Sequence, residues 1–177
     1  ANLLSQRKQE PQEDLLSVLA NAESEGDKLT DREIIATASF LLIAGFETTV
    51  NLLSVGTLVL LENRGQLKQV AGNPELIPNL VEEALRVVSP VQYTARTSDS
   101  DLQLSDGTKV RRGQTIALIL TGANRDPAVF EDPNKFSVSR ENARRNIAFG
   151  YGAHHCIGAQ LARLEAETLW NELLKSY

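Results

Sequence analysis

The chain contains one cysteine, Cys156, and it lies in Phe149-Gly150-Tyr151-Gly152-Ala153-His154-His155-Cys156-Ile157-Gly158. Glycines at 150, 152 and 158 allow tight turns and close approach to a flat ligand. A helical pattern of Leu161, Leu164, Leu169, Leu173 and Leu174 starts near Ile157, so Cys156 stands at a helix mouth. There the partial positive charge and free N–H groups favour thiolate over thiol. A thiolate is a nucleophile or a soft-metal ligand. Taken alone, a single Cys is more often a small buried hydrophobe. A zinc site of His154, His155 and Cys156 is a second alternative, but adjacent side chains point apart and no other ligand pair occurs.

A second group with chemical potential is Ala44-Gly45-Phe46-Glu47-Thr48-Thr49. Ala44, Glu47, Thr48 and Asn51 share one helical face and make a polar stripe on an otherwise apolar segment. A carboxyl beside a hydroxyl can deliver protons to a reacting group. Burying the pair is expensive without partners, so a solvated stripe is the alternative. Glu83 and Arg86 form a third group at i, i+3, a spacing that on an exposed helix is worth only about 0.2–0.5 kcal/mol.

The elements that must position these groups follow from pattern. Leu15 to Ala22 reads as a short helix, followed by the polar turn Ser24-Glu25-Gly26-Asp27. Thr30-Asp31-Arg32-Glu33 has capping-box spacing, and from there to about Asn63 no proline interrupts the chain. Its apolar residues recur on nearly all sides, which predicts a long helix through an interior. Phe40 to Leu61 is long enough to span a membrane, yet Glu47 falls mid-segment, where a charge costs at least about 2.5 kcal/mol, so a buried helix of a soluble protein is expected.

After a break at Ala71-Gly72-Asn73-Pro74, Leu80, Ala84, Leu85 and Val88 give a helix ending near Pro90. Leu102, Leu104, Val110, Ile116, Leu118 and Leu120 then alternate in short runs, with Ser105-Asp106-Gly107 as a hairpin turn. Beyond Thr121 the chain meanders to about Asn146. The expected class is α+β, mainly α, in a single domain over 1–177: long central helix, small sheet, meander, Cys loop and final helix.

Composition sets outer limits. With 177 residues, 42% hydrophobic, and 18 Lys and Arg against 23 Asp and Glu, the chain suits an ordinary globular domain. A net charge of −5 excludes a dedicated nucleic-acid binder, whose phosphate contacts need clustered cations. One cysteine excludes an internal disulfide and suits a reducing compartment, so a cytoplasmic location is expected. The first ten residues are polar and do not resemble a signal peptide.

Phe149, Gly150, Gly152, His154, Cys156, Gly158, Leu161, Ala162 and Arg163 together resemble the haem-binding signature of the cytochrome P-450 family. The resemblance implies haem b (iron protoporphyrin IX) with Cys156 as proximal iron ligand and His154 near a propionate. It implies that Thr48 holds oxygen and water in a hydrogen-bond network while Glu47 relays protons, with Ala44 and Gly45 leaving room over the haem face. Glu83 and Arg86 match the family's Glu-x-x-Arg motif that braces the meander. Arg125 is a candidate third member, and Lys135 stands where many relatives carry Arg.

Arg96 falls where the family places a propionate arginine, just after a substrate-facing segment, Val91 to Thr94. Arg140, Arg144 and Arg145 could form a basic docking patch for an acidic electron carrier. The implied activity is insertion of one oxygen atom into a small organic substrate, with electrons from a ferredoxin-like or flavin redox partner. The resemblance covers the C-terminal half of a usual member. A non-catalytic haem-binding module that associates with itself or another chain is the alternative.

Overall fold

In the computed structural model, residues 1–24 and 26–176 are described. The chain divides into two compact units, 1–47 and 48–177. In the first, α1 (Asn2–Gln9) precedes α2 (Leu15–Asn21). The side chain of Asp14 caps α2 by accepting from the Ser17 N–H at 2.8 Å. Arg7 bonds the same carboxylate, and this bond, followed by the Ser17 bond, lowers the Asp14 pKa from 3.8 to about 2. A two-stranded ladder joins β1 (Glu23–Ser24) and β2 (Asp27–Lys28) at the expected turn, whose Glu25 lies outside the described residues.

The capping box forms at the start of α3 (Asp31–Glu62). Glu33 accepts from the Thr30 N–H at 2.8 Å, and the Glu33 N–H donates back to the Thr30 hydroxyl at 3.3 Å. The expectation that this helix is buried is corrected. Only 6% of its most apolar 18-residue window, of mean hydropathy 1.5, is buried, and Phe40, Leu42, Ile43 and Phe46 are exposed. By length and composition it could cross a membrane. The apolar pattern all round the helix marks a surface suited to cover, and the described residues cover little of it.

In the second unit, α4 (Arg64–Gly72), a 3-10 turn at Pro74–Leu76 and α5 (Ile77–Val88) follow. The core gathers Leu52 and Leu60 of α3, Leu67 and Val70 of α4, Leu80, Val81, Ala84 and Leu85 of α5, and Trp170. Helix α5 ends at Ser89, a non-glycine residue with φ +42°, held there because its hydroxyl accepts from Asn124 Nδ2 at 2.8 Å. Antiparallel β3 (Tyr93–Thr97) and β6 (Thr115–Ile119) pair Arg96 with Ile116. The hairpin β4 (Leu102–Gln103) and β5 (Lys109–Val110) turns through Gly107 at φ +89°.

Leu120 leaves the expected strand pattern: it opens the short helix α6 (Leu120–Ala123) and is buried. Residues 124–148 hold no long element, and α7 (Ala159–Leu174) starts two residues after Ile157. Trp170 of α7 is fully buried and its indole N–H donates to the Thr57 hydroxyl at 3.0 Å. The mainly helical α+β expectation is met.

Gly56 lets α3 meet that indole. A Cβ at this position would lie 2.9 Å from the Trp170 ring and 3.5 Å from the Ala84 Cβ. The ring is buried and tethered, so it cannot give way cheaply. Gly56→Ala should therefore destabilise this unit by about 1–3 kcal/mol, although alanine by itself favours a helix by about 1 kcal/mol. Urea denaturation measures it; an unchanged or raised midpoint would show that the indole has room to move.

Candidate functional site

Helix α5 places two carboxylates, Glu82 and Glu83, side by side in the interior. Glu83 and Arg86 have no side-chain exposure and pair at 2.8 and 2.9 Å through two guanidinium nitrogens. The other Arg86 donors reach backbone carbonyls of the meander: Asn124 at 2.9 Å, Pro133 at 2.7 Å and Lys135 at 3.1 Å. Its guanidinium also lies 5.2 Å from the Phe130 ring centroid. The pair is thus a bracket for irregular backbone, and the fork geometry of arginine is what lets one cation serve five acceptors.

The third member is Arg140. Its Nε lies 3.2 Å from the Glu83 carboxylate, and its other nitrogens donate to the carbonyls of Glu131, Asp132 and Lys135. Arg125 instead donates to the Val87 carbonyl at 2.7 Å. Lys135 contributes its carbonyl, which accepts from both Arg86 and Arg140. Arg140, whose side chain is 9% exposed, is therefore withdrawn from the expected docking patch, leaving the exposed Arg144 and Arg145. The chain turns just before it, the Arg140 N–H donating to the Ser137 carbonyl at 3.1 Å, and no sequence pattern marks Arg140 as the partner of Glu83.

The cysteine loop is fastened at several points. Asn124 Oδ1 accepts from the Ile147 N–H at 2.8 Å, and Asn146 Oδ1 from the Ala148 N–H at 3.1 Å. Gly150 and Gly152 adopt φ +74° and +75°, the left-handed region in which other residues are strained. The turn brings the Cys156 N–H to the Phe149 carbonyl at 2.9 Å, and a 3-10 turn spans Gly152–His154. Cys156, His154 and Ile157 are exposed, whereas Phe149 is half-buried behind them. Gly158, at the N-cap of α7, would place a Cβ 3.9 Å from the thiol, an ordinary contact.

Of the other sequence-derived residues, Glu47 is exposed and Thr48 half-buried, consecutive in the middle of α3; Ala44 is exposed one turn earlier. Arg96 is exposed on β3, its guanidinium donating to Thr94 Oγ1 at 3.1 Å and the Ala95 carbonyl at 2.8 Å. Sequence reading missed Glu82, Asn124 and Asn146 as anchors of the loop, and Arg163 as a salt-bridge partner of Glu82. The Asn124–Ile147, Glu82–Asn146 and Glu82–Arg163 contacts span 23, 64 and 81 residues, and no local pattern marks them.

The donor set decides what metal group could fit. Among the described residues no group of three or more His, Cys, Asp or Glu side chains is placed to share an ion. One accessible thiol on a glycine-turned loop suits a metal that brings its remaining ligands with it, as iron in a porphyrin does. The residues present therefore fit haem.

A cysteine thiolate is one of the few protein ligands that hold haem iron, and here the free cysteine stands on a braced glycine loop just before α7. The cytochrome P450 family model matches residues 2–73 and 71–177, and the chain belongs to that family. It is 44% identical to the biotin biosynthesis cytochrome P450 of Bacillus subtilis over 98% of the chain and 43% of that protein. It is 41% identical to the steroid C26-monooxygenase of Mycolicibacterium smegmatis over 98% of the chain and 43% of that protein. The crystal structure of P450BioI with an acyl carrier protein ligated to hexadec-9Z-enoic acid superposes with a TM-score of 0.92 at 43% identity, covering 98% of this chain and 44% of that one. The chain thus spans less than half the length of these relatives.

Arg86→Lys keeps the charge but lacks the planar fork, so it leaves several meander carbonyls and part of Glu83 unpaired. We expect a loss of about 2–4 kcal/mol, because each buried acceptor left without a donor costs about 1–3 kcal/mol. Chemical denaturation with a near-ultraviolet probe on Trp170 measures it; a loss under about 1 kcal/mol would mean that the bracket is dispensable.

Proposed function

We propose that this chain supplies the haem-binding part of a cytochrome P450 monooxygenase, with Cys156 as the thiolate ligand of haem b. The observation that carries the reading is the single accessible thiol on a loop held from behind by Asn124 and Asn146, in a chain of this family. Haem with a thiolate ligand supplies the activation of oxygen for insertion into a substrate. Phe149, Gly150 and Gly158 shape the loop, and His154 and Arg96 would bond the propionates, the latter once it releases its local bonds to Thr94 and Ala95. By the family resemblance, the small Ala44 would leave room for the haem. Thr48 would orient a proton at the reacting oxygen, and Glu47 would replenish it.

Relatives whose names record a steroid and a fatty acyl group on a carrier protein support an apolar small organic substrate, approached through Val91–Thr94. Arg144 and Arg145 would receive an acidic ferredoxin-like or flavin electron donor, in the cytoplasm. A second reading, a haem-binding part that completes its cavity with another polypeptide or a second copy, is favoured by the exposed Phe40, Leu42, Ile43 and Phe46.

The test is spectroscopic. After haem loading, reduction with dithionite and addition of carbon monoxide, the chain should give a Soret band at about 450 nm, and Cys156→Ala should lose it. A parent band at about 420 nm, or an undiminished band in the variant, would overturn the thiolate assignment. Oxidation of a fatty-acid or steroid panel, supplied with ferredoxin and its reductase, then separates the readings: the second predicts none by this chain alone.

A further inference from the structure

Glu83 and its arginines brace the meander, but the neighbouring Glu82 makes a different set of contacts. Its side chain is 5% exposed, and its carboxylate accepts from Arg163 Nε at 2.7 Å and Arg163 Nη2 at 3.4 Å. Asn146 Nδ2 donates to the same carboxylate at 3.0 Å. Arg163 is on the second turn of α7, so this cluster joins α5, the last residues of the meander and the helix that follows the loop.

The guanidinium of Arg163, fixed in this way, lies 4.7 Å from the centroid of the Phe149 ring. That is within reach of a cation–π contact, and partial burial strengthens it. The Phe149 carbonyl is the acceptor of the Cys156 N–H at 2.9 Å. A chain of contacts therefore runs from Glu82 through Arg163 and Phe149 to the backbone of the cysteine. Only a planar cation can face a ring while two of its nitrogens reach a carboxylate.

We propose that Arg163, oriented by Glu82, is a positioning residue that holds Phe149 and through it the Cys156 backbone in the geometry needed for iron ligation. The ligation half rests on the haem-thiolate reading above; the loop-holding half does not. Removing Arg163 alone would strand the buried Glu82 charge, so Glu82→Leu/Arg163→Leu is the informative variant. Thr57→Val is the control, because it removes the Trp170 tether of α7 without touching the cluster.

In the haem-free chain, hydrogen exchange of the Cys156 amide should accelerate roughly tenfold in the double variant. It should stay at the parental rate in Thr57→Val, and Arg163→Lys should fall between. In haem-loaded chains, the share of carbon monoxide complex absorbing at about 450 nm rather than about 420 nm should fall in the double variant and hold in the control. Equal amide exchange in all variants overturns the loop-holding role. Faster exchange with an unchanged 450 nm share overturns the link to ligation. A parent with no 450 nm band refutes the haem-thiolate reading and the ligation half with it, while the exchange measurement still decides whether Arg163 holds the loop.

Discussion

The guanidinium of Arg86 has no solvent contact, so each of its donors must find an acceptor inside the protein. Two find Glu83; the rest find carbonyls at Asn124, Pro133 and Lys135. Those carbonyls lie in backbone with neither helix nor ladder to satisfy it, so cation and meander solve each other's problem. A hydrophobic replacement of the ion pair would fill the volume and leave the carbonyls orphaned. Burial costs that make isolated ion pairs poor stabilisers are offset here by what the pair organises.

One of the supports of the cysteine loop runs directly from that bracket. Asn124, whose carbonyl is held by Arg86, turns its side chain to Ser89 on one side and to the Ile147 N–H on the other. Ile147 leads directly into Phe149 and the glycine turns. Consecutive residues on a helix project about 100° apart. Glu83 can therefore serve the meander while Glu82 serves Asn146 and Arg163, and one helix anchors both ends of the path to the loop.

How much of this could be read from sequence follows the range of each interaction. The Thr30 and Glu33 capping box, the Gly107 hairpin and the Glu83–Arg86 spacing are contained within three or four residues, and all three take the expected form. Arg140 reaches Glu83 across 57 residues and Arg163 reaches Glu82 across 81. Such pairs are chosen by tertiary packing among many Glu and Arg, so Arg125 was as plausible from sequence as Arg140. The same holds for burial. The pattern of α3 correctly marks a helix with apolar residues on all sides, but a pattern states which surface needs cover and not what covers it.

That distinction separates two requirements of the proposed function. Placement of the Cys156 thiol depends on the loop backbone, and the contacts around it at Asn124, Asn146, Glu82 and Arg163 all lie within 48–177. Controlled oxygen chemistry needs something more, because protons must arrive only through chosen groups and water must be kept out. Glu47 is exposed, as are Cys156 and much of the apolar surface of α3. A carboxyl in bulk water competes with the solvent itself as a proton source and gives no control over delivery. The interactions that set the cysteine in place are therefore internal to this polypeptide, whereas the relay proposed for Glu47 and Thr48 would gain selectivity only with that surface covered.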